Sequence, residues 1–229
     1  MIKCFHSHMR HKMEDSNVQG YCMYENDHRK LDKVAFDGLS KRNQQTVWSE
    51  KELVYILGKE FYDYYIRIGV LVEEVDVDNG DAHDDPTSEQ HEREVRFCHK
   101  IFCEWYAAHY LAEHAARKPD KLSEVHRHMV PKDLQYCYRF ACGLNPDAAG
   151  SIIEYVKGTK GGDKFAILCI LEQGRRGEDI LETVESLCSR LIEFTKDDNK
   201  LLQRSTIQLL ETASSHKVSK ANLCYTFTV

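Results

Sequence analysis

The segment from Val95 to Leu111, with the sequence VRFCHKIFCEWYAAHYL, constrains the fold of this chain more than any other part. It begins as a short run typical of a β-strand and continues as a helix dense in aromatic and small apolar residues. His99 lies at the junction between the two. We expect this junction to carry most of the function, because the rest of the pattern is typical of packing.

The composition narrows the classes of partner. Of the 229 residues, 42% are apolar and 30% are charged, and a formal net charge of -6 is spread along the chain. This balance disfavours broad electrostatic binding to nucleic acid or to an anionic membrane. The longest apolar run, from Phe165 to Leu171, is far shorter than the roughly 20 residues that span a bilayer. No signal peptide is apparent at the start.

Cysteine, glycine and proline usage indicates the compartment and the fold class. The nine cysteines have no framework spacing, and many of them lie among apolar neighbours. We therefore expect reduced, buried thiols in a cytoplasmic protein. With 12 glycines and 4 prolines, the chain has few helix breakers, which favours a helix-rich fold.

The first half of the chain predicts one small domain. Residues 1–26 show weak periodicity and are predicted to be a disordered leader. Apolar residues at helical spacing follow from Asp27, and an extended piece spans Gln45 to Trp48. Ser49 to Glu52 forms a capping box that opens the next helix. A further helix runs from Lys59 to Ile68 and ends at a glycine.

Two strands complete this domain. Val70 to Val77 and Val95 to Cys98 have strand-like patterns, and an acidic loop separates them. Three helices followed by a hairpin are the order of a winged helix, so residues 27–117 are predicted to be a winged-helix domain. The fold class is therefore mainly α, a winged helix with a small β-hairpin followed by an α-helical array.

The helical array is assigned to residues 118–229. The clearest helix in it is predicted over Glu178 to Thr195, where a wide apolar stripe needs partners on more than one side. Asn222 to Thr228 alternates as a terminal strand would. The other helices are predicted at Pro131 to Cys142, Asp147 to Val156, Lys164 to Gln173 and Asn199 to Ser214.

Motifs for catalysis or metal binding are not found. Gly158 to Lys164 lacks the spacing of a phosphate-binding loop, so we expect no nucleotide hydrolysis by this chain alone and no enzyme activity. No hydrolase motif occurs.

Asp76 begins a calcium-like pattern that fails at Thr87. Soft ligands cluster near the start but have little apolar support, which favours no metal site. They are Cys4, His6, His8, His11 and Cys22.

The charge pattern also weighs against DNA binding. A recognition helix should be basic on its exposed face, whereas the helix from Lys59 balances Lys59 and Arg67 against Glu60 and Asp63, and the wing loop is acidic.

His99 leaves two interpretations open. It caps or packs at the strand–helix junction, or it donates to a phosphate oxygen at the positive end of the helix.

Several of these stretches resemble one family. FCHKIFCEWYAAHYL, from Phe97, resembles the F-x-H-x-x-x-Q-E-[FWY]-x-A-A-x-Y-L motif of animal NOD-like receptors of the NACHT class. LDKVAFDGL from Leu31, WSEKEL from Trp48 and IGVLVE from Ile68 resemble its winged-helix domain in the same order. YRFACGL from Tyr138 resembles the start of its second helical domain.

The resemblance implies a regulatory and interaction module that senses the nucleotide state of a NACHT core and controls oligomerisation in innate immune signalling. His99 matches the histidine that contacts the β-phosphate of ADP in the inactive state. The cofactor, ADP or ATP, and the partners, the core and leucine-rich repeats, would lie outside this chain. Cys103 departs from the motif, which has Gln there. The chain would be a fragment, an incomplete product or a truncated decoy; the alternative is a free-standing helical protein-binding scaffold without nucleotide.

Overall fold

The computed structural model describes residues 28–74, 93–119, 122, 128–131, 133–173, 181–188, 192–195, 199–215 and 223–226, together with residues 7 and 11. The chain divides into two compact units, Met1–Tyr110 and Leu111–Val229. The division falls inside a long helix, a few residues before the predicted domain boundary at residue 117. The predicted leader, residues 1–26, lies outside the described residues apart from residues 7 and 11.

The first unit contains four helices and three strands among its described residues. In chain order they are α1 (Arg29–Leu39), β1 (Val47–Ser49), α2 (Glu50–Leu57), α3 (Lys59–Arg67), β2 (Leu71–Glu74), β3 (Glu94–Phe97) and the first part of α4 (Lys100–Arg117). This is the order of a winged helix.

Local signals in the sequence account for the helix ends in this unit. Ser49 Oγ accepts the Glu52 backbone N–H at 3.2 Å, so Ser49 caps α2 as predicted. Gly58 joins α2 to α3 with φ +89° and ψ 147°, a conformation that glycine adopts without strain. Its N–H donates to Val54 O at 2.9 Å and its C=O accepts from Tyr62 N at 3.0 Å, so it satisfies groups at both helix ends.

The small sheet has three antiparallel strands in the order β1–β3–β2. The prediction of a two-stranded hairpin was incomplete, because the extended piece before Ser49 pairs with β3, with Trp48 opposite Val95. Trp48 and Phe97 are buried, and their rings pack edge to face at 5.8 Å. This contact between buried aromatic rings stabilises the pairing of β1 with β3. The acidic loop between β2 and β3 lies outside the described residues.

The second unit continues with the rest of α4 and a series of helices. They are α5 (Gln135–Leu144), α6 (Pro146–Lys157), α7 (Gly162–Glu172), α8 (Leu181–Cys188) and α9 (Lys200–Ser215), with strands β4 (Ile192–Thr195) and β5 (Leu223–Thr226). Tyr138 is fully buried; its ring stacks with Tyr155 at 6.4 Å and meets Phe165 edge to face at 6.2 Å. Its hydroxyl donates to Met129 O at 3.0 Å, which satisfies the buried polar atom.

One helix was predicted too long. The helix predicted over Glu178 to Thr195 ends at Cys188, and Ile192–Thr195 instead forms β4, which pairs in parallel with β5. The tetrapeptide Ile-Glu-Phe-Thr alternates β-branched or aromatic residues with polar ones, a pattern that suits a strand once a partner is supplied. The partner is the terminal strand predicted from Asn222, which is present as Leu223–Thr226.

The predicted fold class, mainly α with a small β-hairpin, is confirmed. Within the described residues, no helix combines the length and the apolar character needed to cross a membrane.

Candidate functional site

Contacts with the sheet and with the interior of α4 fix the junction between β3 and α4. Phe97, the last residue of β3, is buried, and its ring packs against Tyr106 of α4 at 5.8 Å. Cys98 follows, and its backbone N–H donates to Val70 O at 3.0 Å. These contacts hold the chain on both sides of His99, so the position of that residue is set by the hydrophobic core rather than by a loop.

His99 is exposed and caps α4. Its Nδ1 accepts the backbone N–H of Ile101 at 3.1 Å, and its carbonyl accepts the N–H of Phe102 at 3.0 Å. An imidazole nitrogen that accepts a hydrogen bond carries no proton, so the neutral ring holds its proton on Nε2. His99 is therefore a cap, and this cap leaves the Nε2–H on the opposite edge of the ring.

The charge at this helix start favours an anion. The partial positive charge of the α4 N-terminus adds to the ammonium of Lys100, which is exposed. Lys100 Nζ lies 3.8 Å from Glu104 Oε1, one turn further along the helix, and only 3% of the Glu104 side chain is exposed. The buried Glu104 carboxylate offsets part of the Lys100 charge, while the N-terminus of α4 keeps its partial positive charge.

The interior of α4 anchors the site. Trp105, Tyr106, Ala107 and Ala108 are buried, so the helix cannot rotate without disrupting the core. Cys103 is also buried, and burial raises the pKa of its thiol to about 12. Cys103 therefore acts as a small apolar residue at the position where the NOD-like receptor motif has Gln.

The site is an exposed imidazole with a defined donor edge at the positive end of a helix whose interior is buried. Neither a protein-family model nor a curated protein matches this chain. The nucleotide role of His99 stays a prediction, which depends on the residues from Phe97 to Leu111.

One of the two cationic side chains of α3, the helix that would enter DNA in a winged helix, forms an ion pair within that helix. Lys59 Nζ pairs with Asp63 Oδ1 at 2.7 Å on the surface of α3. On the same helix Tyr62 is buried and donates its hydroxyl to Glu73 Oε1 at 2.8 Å. Burial is the larger cause, and this hydrogen bond the second, of the raised pKa of the phenol. That α3 does not read DNA stays a prediction.

The ligand candidates considered from sequence lie almost entirely outside the described residues: Cys4, His6, His8 and Cys22. His11 is described and exposed. Sequence reasoning missed a different group, in which His28 and Asp32 of α1 lie beside His109 of α4. The spacing of His28 and Asp32, four residues apart, was a local signal, whereas the approach of His109 depends on tertiary structure.

Proposed function

We propose that this chain is a regulatory and interaction module of a NOD-like receptor, acting in the cytoplasm, and that His99 senses the nucleotide bound to a NACHT core. The observation that carries the proposal is the hydrogen bond from the Ile101 N–H to His99 Nδ1. This bond directs the Nε2 proton away from the helix, where it is available to a β-phosphate oxygen.

The chemistry of the site supports ADP recognition in a specific way. The chain supplies one donor and a positive helix end, and the nucleotide would be held mainly by the core. A hydrogen bond to a charged group contributes about 1.5–3 kcal/mol, which corresponds to roughly 10- to 100-fold in affinity. A contact of this size is enough to shift a two-state domain equilibrium without being the main source of nucleotide affinity.

The buried residues of the motif support the same proposal. The residues that resemble the NOD-like receptor motif divide by position, since Phe97, Glu104 and Leu111 are buried while His99 is exposed. Burial accounts for the residue types at the three buried positions. Packing does not explain an exposed histidine, because Ser, Asp or Asn would cap the helix at least as well.

A free-standing helical scaffold that binds a protein partner is the second candidate. Leu201 and Ile207 on α9 are 47% and 56% exposed, which is unusual for two large apolar side chains on one helix. This function would need no nucleotide, and His99 would then be a cap only. The two functions differ in whether the identity of residue 99 affects binding.

Two substitutions at His99 separate nucleotide sensing from capping. We expect His99→Leu and His99→Asp each to weaken binding of the chain to an ADP-loaded NACHT core by roughly 10-fold or more, because both remove the Nε2 donor. Asp retains a cap acceptor, so only the Leu variant should lose helix stability, by about 1 kcal/mol. Binding is measured by calorimetry with the separately expressed core of a NOD-like receptor, in ADP and in nucleotide-free buffer.

The control is His128→Leu, which changes an exposed histidine in the other unit. It should leave ADP-dependent binding unchanged. If the affinity of His99→Asp for the ADP-loaded core equals that of the original chain, the nucleotide role is wrong and the cap explains the residue.

A further inference from the structure

Two imidazoles and a carboxylate meet where α1 packs against α4 in the first unit. His28 precedes α1, Asp32 lies in its first turn, and His109 lies on α4. One potential ligand atom from each residue lies within 4.8 Å of the other two. We name these three residues the His–Asp–His cluster, and we propose that it binds a divalent transition-metal ion of the zinc type.

The first argument is the geometry of the donor atoms. His28 Nδ1 lies 2.7 Å from Asp32 Oδ2, and the rings of His28 and His109 meet edge to face with centroids 4.6 Å apart. Zinc bonds of about 2.0–2.1 Å to nitrogen and oxygen place tetrahedral ligand atoms roughly 3.3 Å apart. The candidate ligand atoms lie at most 4.8 Å apart, so the farthest pair would have to approach to about that separation when an ion binds.

The second argument is the difference in burial among the three ligands. The Asp32 side chain is only 6% exposed, whereas that of His28 is 23% exposed and His109 is half-buried. A buried carboxylate needs positive charge or hydrogen bonds nearby, and a metal ion held by neutral imidazoles would supply that charge. The partly exposed imidazoles leave one side open, where water would complete the coordination.

The third argument is the surrounding shell. His109 meets the ring of Trp105 edge to face at 5.0 Å, and His28 meets the ring of Tyr106 at 6.1 Å. Trp105 and Tyr106 are buried, so they fix the orientation of the imidazoles and limit solvent on their side of the cluster. Two imidazoles and one carboxylate suit zinc and its neighbours in the transition series better than magnesium or calcium, which prefer oxygen ligands.

The ion would join the start of α1 to the middle of α4. The same two helices are already in contact through the rings of Phe36 and Tyr110, whose centroids are 4.7 Å apart. A metal ion at the cluster would add a second attachment and would stabilise the folded first unit, because it binds the folded chain better than the unfolded one. This role is independent of the proposed nucleotide contact at His99.

The test uses the full chain, freed of metal with a chelator and titrated with Zn²⁺ by calorimetry. We expect binding that raises the melting temperature, and we expect His109→Asn and His28→Asn each to weaken it by at least roughly 10- to 100-fold, since each removes a ligand. The control His128→Asn should bind as the original chain does. Mg²⁺ should give no response.

Cobalt identifies the ligands. In the original chain Co²⁺ should give the visible bands of a tetrahedral site without the near-ultraviolet thiolate-to-cobalt band that a cysteine site produces. Melting of each metal-free variant near the temperature of the original chain establishes that it folds. The proposal is overturned if Zn²⁺ does not bind, if both histidine variants bind it as the original chain does, or if the cobalt spectrum shows thiolate ligands.

Discussion

Replacing Gly162 with Ala is expected to destabilise the second unit by about 3 kcal/mol or more. A Cβ atom at this position would lie 1.8 Å from Val156 O and 2.7 Å from Thr159 Oγ1. Neither neighbour can give way easily, because Val156 O already accepts the N–H and the hydroxyl of Thr159, at 2.9 and 2.7 Å. The turn between α6 and α7 would have to open, and both helices would lose their relative position.

The measurement is thermal and urea denaturation followed by circular dichroism. For a chain of this length 3 kcal/mol corresponds to a fall of roughly 6–12 °C in melting temperature. Gly150→Ala is the matched control, because Gly150 lies exposed in α6 and a Cβ there has nothing within 4 Å. It should stabilise the chain by about 0.5–1 kcal/mol through helix propensity. Equal effects of the two substitutions would contradict the geometry of the turn.

The second large effect is expected at the ion pair between Arg139 of α5 and Glu172 of α7. The exposed fractions of the two side chains are 5% and 13%, so the pair is largely withdrawn from water. Glu172→Gln should destabilise the chain by about 3–5 kcal/mol, because it leaves the guanidinium of Arg139 buried without its counter-charge. Arg139 Cζ also lies 5.7 Å from the ring centroid of Tyr136, a contact too weak to replace the carboxylate.

The double variant Arg139→Met, Glu172→Leu separates the cost of a broken pair from the value of the intact one. Apolar residues of similar volume need no counter-charge, so we expect the double variant to be within about 1–2 kcal/mol of the original chain and well above Glu172→Gln. Asp37→Asn breaks the exposed pair with Lys33 and should cost less than about 1 kcal/mol. A double variant as unstable as Glu172→Gln in urea denaturation would show that the ion pair itself stabilises the array.

Elements with local signals were predicted well from the sequence. The apolar residues Leu31, Val34, Ala35 and Leu39 of α1 are all buried, and Ser49 caps α2 as its spacing indicated. Each of these depends on neighbours within a few residues, which periodicity and capping rules capture. Helix and strand ends mostly moved by only a few residues.

Features that depend on contacts distant in sequence could not be predicted in the same way. Ile192–Thr195 has an apolar pattern compatible with a helix, and only pairing with β5 favours the strand. β1 likewise joins the sheet through β3, a partner far along the chain. The cap that His99 forms on α4 is one of the two interpretations that the sequence left open, whereas the His–Asp–His cluster required knowledge of how α1 packs on α4.

The single-residue connection at Gly58 has a consequence for how this sequence can vary. A side chain there would meet open space, since nothing lies within 4 Å of a Cβ built on that residue. Contacts of a Cβ therefore place no restriction on position 58, while the torsion angles there strongly favour glycine. Random mutagenesis with selection for folded protein should return glycine at this surface position as strictly as it returns large apolar residues in the interior.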